Sequence, residues 1–438
     1  MTRLPIERPA FGPSDRPVVM TRGGAINWGN LCAVARALAY SLPSGPAAVN
    51  LCERRENFLT AFLALLIRGQ TCLLPPSRAP AVVSEVLDAY PGGYPLDDAL
   101  VTAARDGTYV ESGAAINVPS ERVVLVGYTS GSTGRPTANP KTWGSLLASA
   151  RLNSGALRAA LAARGESGRP WILATVPSQH MYGIETSVLL PIIGGMGIHG
   201  VHPLYPADIA AALHELPEPR LLVTTPVHLR ALLRSGVDMP SVGVVVSATA
   251  PLSVETAQAA EDRYRTTVLE FFGSTETCVI ATRRTACDPA WHPYPGIELL
   301  PQADGTRVSA PWLPDPVVLQ DILEIHGEGT FVSVGRNADM IEVAGKRASL
   351  ADLTRRLMSV RGVSDAVVFQ PDGGELAPVR RLAALAVADG LTEAAILAEL
   401  APLMDPVFLP RPLVLVERLP RNEVGKLPRE QLLAAIHR

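Results

Sequence analysis

Lysine is almost absent from this 438-residue chain: of 39 basic residues only Lys141, Lys346 and Lys426 are lysines, and the other 36 are arginines. There is no basic excess either, since the formal net charge is −3. A chain so balanced has no electrostatic footprint for nucleic acid or an anionic membrane. Cysteine is sparse, and the five (Cys32, Cys52, Cys72, Cys278 and Cys287) form no CxxC pair and are odd in number. That pattern excludes a disulfide framework and a zinc knuckle, leaving cysteines expected to be reduced and partly buried. Residues 1–12 lack a basic flank followed by an apolar core, so no secretory leader is expected. A prominent, nearly apolar run, Phe58 to Ile67, is too short to span a bilayer and is bracketed by Arg54, Arg55 and Arg68. These absences describe a soluble, cytoplasmic protein with neither a nucleic acid nor a membrane as partner.

What is present is apolar mass in a regular rhythm. Hydrophobic residues make up 47% and charged residues 18%, enough for a large core in two or three lobes. Short apolar runs alternate with helix-like stretches: Ala47 to Cys52, then Asn57 to Arg68, then Thr71 to Leu74. The alternation recurs at Trp171 to Val176, at Leu221 to Thr224 before a helix over Pro226 to Ser235, and at Val242 to Ser247 before a helix over Ser253 to Tyr264. The fold class this predicts is α/β: a large N-terminal domain of layered sheets and helices, with ligands gathered at strand C-termini. A boundary is expected near Gly335 to Asp339, dividing an N-terminal domain (1–336) from a small, mobile C-terminal α/β domain (337–438). In the latter the pattern predicts helix Leu350 to Val360, strands Asp365 to Phe369 and Leu382 to Ala388, helix Thr392 to Leu400 and strand Leu413 to Leu419.

One segment carries chemistry. Tyr128-Thr129-Ser130-Gly131-Ser132-Thr133-Gly134-Arg135-Pro136 follows the apolar run Val123 to Val126 and precedes a helix-like stretch from Trp143. Small hydroxyl residues interleaved with glycines let backbone N–H groups converge on an oxyanion, while the hydroxyls add donors. Taken alone, the same composition fits a polar surface turn. The three lysines sharpen the reading, because a lysine kept against so strong an arginine preference suits a site needing a compact ammonium. Lys141 lies just beyond the loop, Lys346 follows Gly345, and Lys426 follows Gly425.

Four segments in order resemble the adenylate-forming superfamily of acyl- and aryl-CoA synthetases, nonribosomal adenylation domains and luciferases. They are the loop at Tyr128 to Pro136, Phe272-Gly273-Ser274-Thr275-Glu276, the hinge block at Gly335-Arg336 with Gly345 and Arg347, and the lysine loop Pro420 to Arg429. The resemblance implies attack of a carboxylate on the α-phosphate of ATP, giving an acyl-adenylate and pyrophosphate. It also implies roles. Thr129, Ser130, Gly131, Ser132, Thr133 and Gly134 would hold the β- and γ-phosphates, Glu276 would ligate Mg²⁺, and Thr275 would contact the α-phosphate. Lys426 would bridge the acid carboxylate and the nucleotide. Ser247-Ala248-Thr249-Ala250-Pro251 is similar to the adenine segment, with Thr249, Ala250, Phe272 and Gly273 beside the nucleotide and Ser247 and Gly273 beside the acid. Asp321 and Arg336 would contact the ribose, His180 in Pro177 to Gly183 would gate the acyl pocket, and Gly345 would line a pantetheine tunnel.

The chain departs from the family pattern in several places. Pro136-Thr137-Ala138 replaces the usual Pro-Lys-Gly, leaving two roles open to Lys141: phosphate contact or helix capping. Gln320 precedes Asp321 where the family has glycine, and Ala338 with Asp339 occupies the hinge. His199 and His202 lack ligand partners at metal spacing and are read as non-metal. The compact length and the Pro136 to Trp143 loop resemble stand-alone aryl-acid ligases of aryl polyene and xanthomonadin-type pigment pathways, implying a hydroxybenzoate-like acid and the phosphopantetheine thiol of an acyl carrier protein. Coenzyme A as acceptor, an adenylate used without thioester formation, and a nucleotide-binding pseudo-enzyme are the alternatives.

Overall fold

The structure, a computed structural model, describes residues 13–106, 116–130, 136–302, 305–336, 340–343, 346–371, 381–422, 425 and 427–436. The chain divides into two compact units, one of residues 1–296 with 311–314 and the other of 297–310 with 315–438.

In the first unit, nine strands among the described residues form one sheet. Their order is His292–Pro293, Cys278–Arg283, Thr267–Ser274, Val244–Ser247, Arg220–Thr224, Trp171–Ala174, Gly197–His199, Pro17–Thr21 and Gly24–Asn27. The pairings from Thr267–Ser274 through Pro17–Thr21 are parallel, and the outer ones are antiparallel. The central strands are buried along their length because helices cover them, which is why they read as continuous apolar runs. Leu173, Leu222, Val245 and Val268 share a core with Leu213, Leu229, Leu232 and Ala260. Each of these leucines and valines contributes about 1.5–3 kcal/mol of burial. A second sheet, also largely parallel, runs Tyr94–Leu96, Ala47–Asn50, Thr71–Leu74, Val123–Ser130 and Pro136–Thr142.

Several expected elements fall where local chemistry marks them. The helix Pro226–Ser235 begins with proline at its first turn and with the Thr225 side chain accepting from the His228 N–H. Ser253 caps Val254–Tyr264 in the same way.

The second unit contains strands Glu298–Gln302, Gly305–Ser309 and Val317–Leu319, the ladder Asp321–Ile325 with Phe331–Arg336, the hairpin Met340–Val343 with Lys346–Ser349, and the sheet Val363–Phe369, Ala383–Ala388, Leu413–Leu415. Helix Leu350–Met358 packs Leu353 and Leu357 against Ala366, Val368, Ala384 and Ile396. This unit starts at Ile297, forty residues before the boundary expected at 337. The 321–336 ladder explains the difference, because Ile322, Val332 and Val334 line one cavity with Ser349 and Asp352. The strand expected over Leu413 to Leu419 stops at Leu415, where pairing with Ala383–Ala388 ends.

Candidate active site

The strand Val123–Ser130 carries Tyr128, Thr129 and Ser130, expected in a loop, as ladder residues opposite Ala138, Thr137 and Pro136. The helix Trp143–Ala163 begins only after this second strand. A second strand therefore stands between residues 131–135 and the helix, where the sequence suggested that the helix follows directly. The period-two pattern of Asn139 and Lys141 inward against exposed Ala138 and Pro140 explains it. Gly131, Ser132, Thr133 and Gly134 lie outside the described residues.

Thr275 and Glu276 sit in the tight connection between Thr267–Ser274 and Cys278–Arg283. The Ser274 hydroxyl accepts from the N–H groups of Glu276 and Thr277, each at 3.2 Å, so one side chain fixes the turn. Cys278 closes the turn at φ 64°, a left-handed conformation that a side-chain-bearing residue adopts only under constraint. Glu276 is half-buried. Gly127 links this turn to the phosphate-loop strand: a Cβ there would lie 3.0 Å from Thr275 Cγ2 and 3.9 Å from Met181 Sδ. Three segments singled out in the sequence thus converge at one point: the strand entering the loop, the Glu276 turn and the residue after His180.

Lys141 reaches the same turn. It is 4% exposed, and its Nζ donates to the Glu276 carbonyl. It does not cap the helix, a role filled by Thr142, whose side chain accepts from Ser145 N. Nearby is a residue the sequence reading missed. Glu185, 2% exposed, accepts from Ser149 Oγ at 2.5 Å, Val279 N at 2.9 Å and Asn153 Nδ2 at 3.4 Å. Burial holds its carboxyl above the ordinary carboxylate value, and these donors and the Lys141 charge offset only part of that rise. Tyr294 completes the network by donating to Asn153 Oδ1 at 2.8 Å. The available signal was one acid within the otherwise uncharged run Met181 to Ile193.

His180, half-buried, precedes the short helix Met181–Gly183, which continues as a π-helical stretch over Ile184–Leu189. Such stretches are rare and are frequently found at functional sites. Ser247 ends a central strand with its hydroxyl buried and no hydrogen-bond partner among the described residues. Beside it Thr175 Oγ1 lies 2.9 Å from Thr224 Oγ1 and 2.8 Å from His228 Nδ1. Thr249, exposed and ahead of half-buried Ala250, has φ 78°, a genuine outlier for a β-branched residue. Phe272 packs on Trp291 with centroids 5.1 Å apart. The Arg283 guanidinium lies 4.3 Å over Trp291 and is fixed by two hydrogen bonds to buried Glu270 at 2.8 and 2.6 Å. The aromatic wall is therefore braced from behind. Gly273 is exposed at a bulge in the same strand.

In the second unit Asp321 lies opposite Arg336 across the ladder. Lys426 and Gly345 lie outside the described residues, as do Ala338 and Asp339, while Arg421, Asn422 and Gly425 near Lys426 are described. Arg421 donates twice to Asp365, at 3.1 and 2.9 Å, and once to the Gly425 carbonyl at 2.8 Å. Gly425 N donates to Asn422 O at 2.8 Å, and its φ of 79° is one that glycine adopts without strain.

His199 is fully buried, with Nε2 2.9 Å from Glu215 Oε2 and Nδ1 accepting from Val201 N, so both ring nitrogens are occupied. Cys32, Cys52, Cys72 and Cys278 are buried thiols, and Cys287 is exposed. Burial pushes the Cys72 thiol up to about 12, the form expected of an inert core cysteine. No helix among the described residues is long and apolar enough to cross a membrane.

The model of the family described as AMP-binding enzyme matches residues 82–303, about half the chain and the region that holds the phosphate loop, the His180 segment and the Glu276 turn. The chain belongs to this family. A 4-coumarate–CoA ligase from Halorhodospira halophila is 29% identical over 311 residues, covering 68% of this chain and 73% of that protein. The fatty acid–[acyl-carrier-protein] ligase MmaC of Mycobacterium marinum is 28% identical over 185 residues, 33% of this chain and 35% of its own. The fold is shared with the AMP complex of O-succinylbenzoate coenzyme A synthetase (MenE) from Bacillus subtilis, with a TM-score of 0.79, 18% identity and 95% of each chain covered. Within its family the chain is an ATP-dependent, AMP-forming acid:thiol ligase.

Proposed function

We propose that this ligase activates a hydroxybenzoate-like aryl acid as its acyl-adenylate and passes the acyl group to the phosphopantetheine thiol of an acyl carrier protein. The observation that carries the adenylating half is the convergence at Gly127 of the phosphate-loop strand, Thr275 and the His180 segment. The donor set suits a magnesium nucleotide: a half-buried carboxylate in a hydroxyl-rich turn supplies hard oxygens, and the Ser247 hydroxyl is buried without a partner among the described residues.

Mg²⁺, when bound, neutralises triphosphate charge that would otherwise repel the incoming carboxylate. Glu276 would hold the ion, and Thr275 would donate to the α-phosphate. Residues 129–134 would supply N–H and hydroxyl donors to the terminal phosphates. Phe272, Thr249, Ala250 and Gly273 would flank the base, with Asp321 and Arg336 on the ribose. Ser247 and Gly273 would border the acid, and His180 would stand where acid pocket and thiol channel meet. Lys426 would sit between the two reacting anions, where its ammonium offsets the charge of both. It would be carried by a mobile domain of residues 337–438 pivoting near Ala338, and Gly345 would line the pantetheine path.

Coenzyme A is the second reading for the acceptor, favoured by the match to a 4-coumarate–CoA ligase over more of the chain than the match to the carrier-protein ligase. Acid-dependent exchange of pyrophosphate into ATP, run with hydroxybenzoates, cinnamates and fatty acids on wild type and Lys426→Ala, tests the first half. Exchange with an aromatic acid, abolished in the variant, is the expected result; exchange only with fatty acids sinks the aryl reading. Thioester formation on holo carrier protein against free coenzyme A then separates the acceptors.

A further inference from the structure

We infer that Lys141 is a positioning residue: it holds the backbone of the proposed metal-ligating turn, with buried Glu185 balancing its charge. The inference rests on the reading of Glu276 as the Mg²⁺ ligand and adds the device that aims it.

Lys141 ends the five-stranded sheet, on the strand Pro136–Thr142. Glu276 belongs to the nine-stranded sheet, between its strands Thr267–Ser274 and Cys278–Arg283. The Lys141 Nζ contact with the Glu276 carbonyl therefore bridges the two sheets at the residue whose carboxylate must be aimed. The amide on the other side of Glu276 donates to Ser274 Oγ at 3.2 Å, so both flanking backbone groups are held. A turn pinned at both ends leaves its carboxylate mainly side-chain rotation as freedom, which lowers the entropy lost on binding an ion.

A lysine only 4% exposed needs a compensating charge for its ammonium. Glu185, itself 2% exposed, supplies it from the π-helical stretch and acts on Lys141 through space. Glu185 also accepts from Val279 N at 2.9 Å, on the strand leaving the same turn. The pair thus grips the hairpin from two sides, Lys141 at the tip and Glu185 on the outgoing strand. Arginine, which fills 36 of the 39 basic positions in this chain, would bring five donors to a place where one carbonyl is presented.

The test compares wild type with Lys141→Met, the double variant Lys141→Met/Glu185→Gln and Glu276→Gln. Binding of a non-hydrolysable α,β-methylene ATP is measured by calorimetry across a Mg²⁺ titration and again without metal, alongside thermal melting. Removing a residue that orients a metal ligand should raise the Mg²⁺ needed for half-maximal binding by about tenfold or more. Metal-free nucleotide affinity should stay within about twofold. The double variant, which leaves no uncompensated buried charge, should melt closer to wild type than Lys141→Met yet keep the raised Mg²⁺ requirement. An unchanged Mg²⁺ requirement in the double variant overturns the positioning role, even if Lys141→Met alone fails to fold. Equal losses with and without metal overturn it too, since they mark direct phosphate contact. If Glu276→Gln shifts the Mg²⁺ requirement and the lysine variants do not, the positioning inference fails alone. If Glu276→Gln changes nothing, the metal reading fails and takes the inference with it.

Discussion

Asp321 and Arg336 face each other as partners across an antiparallel ladder, the first and last residues of strands Asp321–Ile325 and Phe331–Arg336. In the proposed site Asp321 would accept from both hydroxyls of the ribose diol. Asp321→Ala should raise the KM for ATP by about tenfold, the cost of hydrogen bonds to a charged group. Wild type should discriminate against 2′-deoxy-ATP and the variant should not. Equal discrimination by both proteins would remove Asp321 from the ribose.

Arg421 ties Asp365 to the carbonyl immediately before Lys426. Arg421→Met should lower the adenylation rate by about tenfold to a hundredfold through misplacement of the lysine, with nucleotide affinity nearly unchanged. Stopped-flow measurement of acyl-adenylate formation reads this directly. A loss confined to nucleotide binding would assign Arg421 elsewhere.

Gly127 has no room for a branched side chain against Thr275. Gly127→Val should cost about 1–3 kcal/mol of stability through overpacking. Pyrophosphate exchange should fall further than that stability loss explains, because the displaced group is Thr275. Melting and exchange measured on the same sample separate the two effects.

Burial depresses the pKa of both His199 and His228 below the ordinary histidine value of about 6.5. In the pH range below 6.5 the unfolded chain binds protons that the folded one refuses, so stability present at neutral pH is lost as pH falls. His228→Asn keeps an acceptor for Thr175 and removes the titration. Its melting temperature should decline less steeply than wild type between pH 7 and 5; parallel slopes would show that His228 contributes nothing to acid sensitivity.

Much of the architecture was legible because local chemistry and tertiary packing agree. The Thr71–Leu74 strand and the Pro226–Ser235 helix carry both a clean apolar period and clear ends. The hydroxyl-rich loop misled at its flanks, since Thr137 to Thr142 mixes proline, asparagine and lysine and shows a strand only once Val123–Ser130 is there to pair with it. Four motifs in order were readable, but the side chains that brace them were not. Glu185 sits in an apolar helix, and nothing in the chain order brings it near Lys141 or Val279. The start of the second unit at Ile297 was hidden for a similar reason, because strands 298–336 carry alternation too weak to be told from loop.

Thr249 holds a β-branched side chain at φ 78° in the segment similar to the adenine-binding stretch. A glycine there would relieve about 1–2 kcal/mol of backbone cost. In an engineering campaign this is an inexpensive source of heat tolerance within the candidate site. A selection for thermostability alone should therefore enrich Thr249→Gly early, and one that also demands turnover should retain threonine if its hydroxyl or methyl contributes to nucleotide affinity.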